Sequence, residues 1–149
     1  MKKLVIIVVV IIIGIAGWYG YKLYTGQTPD LGNQKPDIVV NAKELVAAFN
    51  KDTSSARKLY TDKLLEINGN VKSIDTSGAI VLGDEGDPSV VTVSLDRRHI
   101  NDYKKLTVGS PAIIQGKYVG YTKGNGEDLI ESLGTTVQIN FAVVKENKK

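Results

Sequence analysis

The residues of this chain that could do chemistry gather in one short stretch, "DRRHINDYKK", Asp96 to Lys105. Arg97, Arg98, Lys104 and Lys105 surround His99 and Tyr103, a small cationic patch that could meet an anion or a lipid headgroup beside a membrane. The plainer reading of such a charge run is a solvated surface connection. Tyr118 and Tyr121, further on, add aromatic surface and complete the set of candidate ligand contacts. His99 has Asp96 and Asp102 close in sequence, yet no Gly-x-Ser-x-Gly elbow accompanies it and no hydrolytic constellation forms. A single histidine leaves no multi-His metal site, and a chain without cysteine has no disulfide, thiolate chemistry or Cys-based zinc site. Asp84, Glu85 and Asp87 in "DEGD" lack the Asp-x-Asp-x-Asp-Gly spacing of a calcium loop and read as a solvated turn. No enzyme and no cofactor is expected.

Charge narrows the partners further. The chain of 149 residues has a net charge of +3, but its basic excess lies at the ends and in a linker. From Asp37 to Glu146 there are 13 basic against 15 acidic residues, a net −2. A pI near 9.0 is therefore no nucleic-acid footprint here.

The elements that must position these residues begin with an export segment. Lys2 and Lys3 precede an uncharged run from Leu4 to Tyr21. Its 18 residues make a helix of roughly 27 Å, close to the hydrocarbon thickness of a bilayer. Trp18, Tyr19, Tyr21 and Tyr24 stand where an interfacial aromatic belt would, and the lysines place the N-terminus inside and the rest outside. A cleaved signal peptide, with Gly14-Ile15-Ala16 as the cleavage site, is the competing reading; both export the C-terminal domain. Residues 1–24 are thus an anchor or signal segment, 25–36 a Gly/Pro/Gln/Asn linker, 37–146 the folded domain and 147–149 a basic tail.

Within the domain, Asn41 and Glu44 predict a capping box opening a helix whose apolar face is Leu45, Val46 and Phe49. Asp52 predicts a second cap, with Ala56, Leu59 and Tyr60 buried. After Lys63 the period changes to two, giving strands at Leu64–Asp75, Ala79–Leu82, Val90–Leu95, Ala112–Tyr121 and Thr136–Val144. Val137, Ile139, Phe141 and Val143 alternate in the last and are expected on its core face. The first strand breaks its own alternation: Leu65, Ile67 and Val71 share one parity and Ile74 has the other, with Gly69 at the centre. A bend at Gly69 and a bulge at Ser73 would produce that pattern, and Gly116 marks a second bend. Five strands with a coiled first strand predict a mainly β fold, a five-stranded Greek-key OB barrel preceded by two short helices.

The stretches "AKELVAAFNKDTSSARKLYTDKLLEINGNVKSI", "LTVGSPAIIQGKYVGY" and "LGTTVQINFAVV" resemble the bacterial tRNA-anticodon-like OB-fold family of exported lipoproteins, from about Ala42 to Val144. The shared positions are Leu45, Ala56, Tyr60, Lys63, Gly69, Val71, Ile74, Leu106, Gly109, Gly116, Gly120 and Tyr121. The resemblance implies an OB barrel behind an export segment, with no established activity. Many members carry a lipobox cysteine; here a transmembrane anchor must replace the lipid. His99 and Tyr103 also make a His-x-x-x-Tyr motif similar to that of membrane-anchored OB-fold haem chaperones, where, however, it follows the last strand. The expected function is a membrane-tethered, extracytoplasmic OB-fold binding or interaction module for a protein or envelope component. An oligonucleotide-binding domain and a haem or small-ligand carrier are the alternatives. Nucleic acid is disfavoured because "AIVLGDEGDPSVVTVSL", the second and third strands, holds neither an aromatic nor a basic residue.

Overall fold

In the computed structural model, the described residues are 11–21, 30–123 and 134–145. Six strands form one sheet: β1 (Ile38–Asn41), β2 (Leu64–Ile74), β3 (Ala79–Leu82), β4 (Val90–Leu95), β5 (Pro111–Lys123) and β6 (Thr135–Lys145). The order β1-β2-β3-β4-β6-β5 returns to β2 through a β2–β5 pairing, so five strands close into a barrel and β1 lies alongside, parallel to β2. Leu65, Ile67, Ile80, Leu82, Val91, Val93, Ile114, Val137 and Ile139 fill the barrel and are fully buried.

Two helices, α1 (Ala42–Lys51) and α2 (Thr53–Tyr60), precede the barrel strands. Asn41 and Glu44 form the predicted capping box. Asp52 accepts from the N–H groups of Ser54 and Ser55, at 3.0 and 3.2 Å, and caps α2. Leu45, Val46 and Phe49 are buried as the helical period demands, and so are Ala56 and Tyr60. Leu59 is not: it is 54% exposed, because a two-turn helix lying on α1 covers a narrower stripe than expected.

The expected bulge in β2 lies at Lys72. Val71 faces Leu82 and Ser73 faces Val81, so two steps on β2 match one on β3 and the parity reverses before Ile74. Gly69 sits where α1 enters: a Cβ there would stand 2.8 Å from the Ala42 Cβ. Gly116 is a second close approach, with a Cβ placed 2.6 Å from Ile139 Cγ2.

Further features depart from the sequence reading. From Asp30 onward the expected linker is part of the fold. Leu31 is buried, and the Gln115 Nε2 on β5 donates to the carbonyls of Leu31 and Gln34 at 2.7 and 2.8 Å. Phe141 leaves the core face. The ladder of β6 slips against both neighbours: Val93 faces Ile139 but Leu95 faces Ala142, while Gln115 faces Val143 and Lys117 faces Asn140. The extra residue turns Phe141 outward, 43% exposed with φ 55°, and Ala142 takes the inward place.

Residues 11–21 are helical and exposed. Among the described residues no helix is long and apolar enough to cross a membrane. The expected span begins at Leu4, outside the described residues.

Gly69→Val should destabilise the protein by roughly 1–3 kcal/mol, since the added carbons must displace Ala42 or bend β2. Thermal or denaturant unfolding checks this; an unchanged midpoint would mean that α1 is not seated on that glycine.

Candidate functional site

The connection between β4 and β5 is a nine-residue 3-10 segment, Arg97–Lys105, kinked at His99. Asp96 starts it. Its backbone N–H donates to the Ala142 carbonyl at 2.9 Å, tying the segment to β6. Its carboxylate accepts the Arg98 N–H and Nε at 2.9 Å each and Nη2 at 2.6 Å. These bonds, with the guanidinium foremost, pull the carboxyl down to about 2. Arg98 is thus spent on a bidentate pair, whereas Arg97 makes no ion pair among the described residues.

His99 is bracketed by acids. Nε2 lies 3.2 and 3.1 Å from the two oxygens of Asp30, and Nδ1 lies 3.3 Å from Asp102 Oδ2. Lys105 pairs with Asp102 at 3.1 Å, and Lys104 lies 5.9 Å above the Tyr103 ring. Asp30 is held below the usual carboxylate range by the Gly32 N–H first and by His99 second. The imidazole therefore fastens residues 30–34 to the barrel. To serve as a base or an axial haem ligand, it would have to give up one of these carboxylates.

Tyr118 and Tyr121 do not join this patch. Both rings turn inward and stack on Phe49, with centroids 5.2 and 5.1 Å apart, and Phe49 in turn stacks on Tyr60 at 5.9 Å. Burial raises the Tyr118 hydroxyl's pKa, and the Arg57 charge opposes that. Their exposed edges line a hollow of about 470 Å³ with Arg57, Thr61 and Asp62. Sequence reasoning missed Arg57, because nothing in the helix pattern of α2 points to a strand tyrosine sixty residues on.

Arg97 shares a hollow with Phe141, which the sequence placed on the core face. Phe141 and Asn140, from the β6 bulge, line a hollow of about 590 Å³ together with Ser94, Leu95, Arg97 and Arg98. No local signal locates the bulge, because Val137, Ile139, Phe141 and Val143 keep one parity and the slip shows only in the ladders with β4 and β5.

The acidic turn is partly neutralised. Asp84 pairs with Lys43 and accepts from Asn70 Nδ2 at 3.2 Å, and Lys72 donates to the Asp87 carbonyl at 2.6 Å. Among the described residues, no group of three His, Cys, Asp or Glu side chains could hold a metal ion.

The tRNA_anti-like family model matches residues 1–126, which takes in all but the last strand of the barrel. A solved structure of a candidate nucleic acid-binding lipoprotein from Klebsiella pneumoniae is similar, with a TM-score of 0.55 at 16% identity. It matches over 76% of this chain and 100% of its own. A candidate aspartyl-tRNA synthetase from Leishmania major has a TM-score of 0.41 at 10% identity, over 78% of this chain and 22% of that enzyme. At 16% identity the likeness to the lipoprotein is one of fold. No curated protein matches the chain.

The Asp96–Arg98 pair predicts an acid limb. With the folded carboxyl near 2 and the unfolded one near its ordinary 3.8, the folded state binds the proton less readily. The pair's stabilisation is full above about pH 4 and fades as pH falls towards 2. Asp96→Asn should lower the melting temperature at neutral pH, and its deficit should shrink across that window. Parallel melting curves for the two proteins down to pH 2 would refute it.

Proposed function

This chain belongs to the tRNA_anti-like family, and on that premise we propose that it is a non-catalytic OB-fold binding module, tethered on the extracytoplasmic side of a membrane, whose ligand is a protein or another envelope component. The observation that carries this reading is the outer face of β3 and β4. OB folds that take single strands use that face, furnished with stacking aromatics and a basic track. Here its outward residues are Ala79, Val81, Val90, Thr92 and Ser94, and the register carries the row on through Ser73 of β2 and Gln138 of β6. None is charged and none is aromatic. The turn joining the two strands holds Asp84, Glu85 and Asp87, which repel phosphates.

The tether rests on the N-terminal helix. Ile11, Ile12, Ile13, Ile15, Trp18, Tyr19 and Tyr21 are each more than half exposed. A helix apolar all round finds its partner in protein or in lipid, and Lys2 and Lys3 ahead of it favour an N-in, C-out anchor. External protease should therefore degrade the domain in spheroplasts; a full-length chain that survives until lysis would sink the topology.

The description of the Klebsiella relative keeps oligonucleotide binding as the second reading. Titration of labelled single-stranded DNA and RNA at physiological salt separates the two. The expected binding is salt-sensitive and non-specific, with Kd on the order of 10⁻⁴–10⁻⁶ M. Sub-micromolar binding that survives added salt and falls in Tyr118→Ala or Tyr121→Ala would establish the second reading instead.

A further inference from the structure

We infer that the outer side of the β6 bulge is a docking site for a protein segment that presents an apolar side chain next to a carboxylate. This rests on the reading above, that the ligand is a protein or envelope component.

Phe141 is the starting point. It has φ 55°, a conformation that suits glycine and disfavours any residue with a Cβ. It holds a large ring 43% exposed to water. Neither property helps the barrel to fold. The slip of β6 against β4 and β5 requires one extra residue at this point, and glycine would fill it without strain. A bulge re-aims a side chain, and here it aims an aromatic ring at the hollow that Ser94, Leu95 and Asn140 also line.

Arg97 supplies the second half of the site. Of the two arginines at the hollow, Arg98 is neutralised by Asp96, whose oxygens are in turn filled by Arg98's own N–H groups. Arg97 is exposed and makes no ion pair among the described residues. The hollow therefore offers one available positive charge beside one apolar ring. That matches one carboxylate with an apolar neighbour. A polynucleotide needs a series of cations, and the outward row Ser73, Val81, Thr92 and Gln138 supplies none. Arginine and aromatic rings are also the side chains that anchor protein interfaces.

The test uses the full-length protein in nanodiscs, immobilised and panned against a random peptide display library. Enriched peptides are then synthesised with a fluorescein label and titrated. The expected peptides carry Asp, Glu or a free C-terminal carboxylate next to a residue such as Leu or Phe. Their affinity should fall about tenfold or more in Arg97→Glu and in Phe141→Gly, and stay unchanged in Lys63→Glu. Phe141→Gly is the chosen variant because glycine accepts the backbone, so its melting temperature should equal or exceed the wild type's. Enriched peptides that bind Arg97→Glu and Phe141→Gly as tightly as wild type would overturn this site and leave the proposed function standing. No enrichment beyond that on the Arg97→Glu, Phe141→Gly double variant would overturn it as well. A Phe141→Gly protein that melts well below wild type would assign the ring to folding and overturn the proposal. Tight single-stranded RNA binding that the peptides compete away would overturn both readings at once.

Discussion

A sheet of five strands has two raw edges of unpaired N–H and C=O groups, and this barrel removes them by giving β2 a partner for every part of its length. Over Leu64–Asn70 it pairs with β5; over Val71–Ile74 it pairs with β3. A flat eleven-residue strand cannot serve both, because the two partners lie on opposite sides of the closing ring. β2 must coil where it changes partner, and the residues at that point show how. Gly69 leaves room that a side chain would fill, the extra Lys72 sharpens the turn, and Ala42 of α1 occupies the space the glycine leaves. Barrel closure and the seating of the helix depend on the same few atoms.

The far side of the ring meets the same constraint in another way. β6 runs parallel to β4 and antiparallel to β5, and both ladders slip within Asn140–Ala142. Opposite the slip stands Gly116, with Ile139 and Ala142 packed over its bare Cα. A second irregularity, at Val119 of β5, has a consequence for the aromatics. Tyr118 and Tyr121 are three residues apart and would point to opposite faces of a regular strand. The extra residue brings both onto Phe49, and so takes them from the surface where they could have stacked with a base.

Much of this was legible in the sequence, and the divide follows range. The caps at Asn41 and Asp52, the apolar face of α1, the five barrel strands and the parity break in β2 each follow from residues a few positions apart. What was not legible depends on partners far along the chain. β1 is four residues long and meets a strand that begins at Leu64, so it had no alternation to betray it. Residues 30–34 read as linker because Leu31 is a lone apolar residue, and the wall of β5 and β6 on which the segment packs exists only once the barrel has closed. Phe141 fits the alternation of β6 until the double slip moves it. The His99 contact with Asp30 spans 69 residues, and no local pattern contains it.

His99 shows why chemical potential in a sequence differs from chemistry in a fold. It is the only imidazole of the chain, with Asp96 and Asp102 nearby, and it invites a reading as base or ligand. In the structure both ring nitrogens meet carboxylates, and the gain is mechanical: the segment entering the domain is held against the barrel wall. Arg98 is spent in the same way on Asp96. Closure also pairs most of the backbone of the described strands. Binding must then rest on side chains that neither the core nor an ion pair has claimed. The double slip in β6 exposes one such ring, Phe141, and the Asp96–Arg98 pair leaves one such cation, Arg97, beside it. The slip in β6 thus also sets out the surface of the proposed docking site.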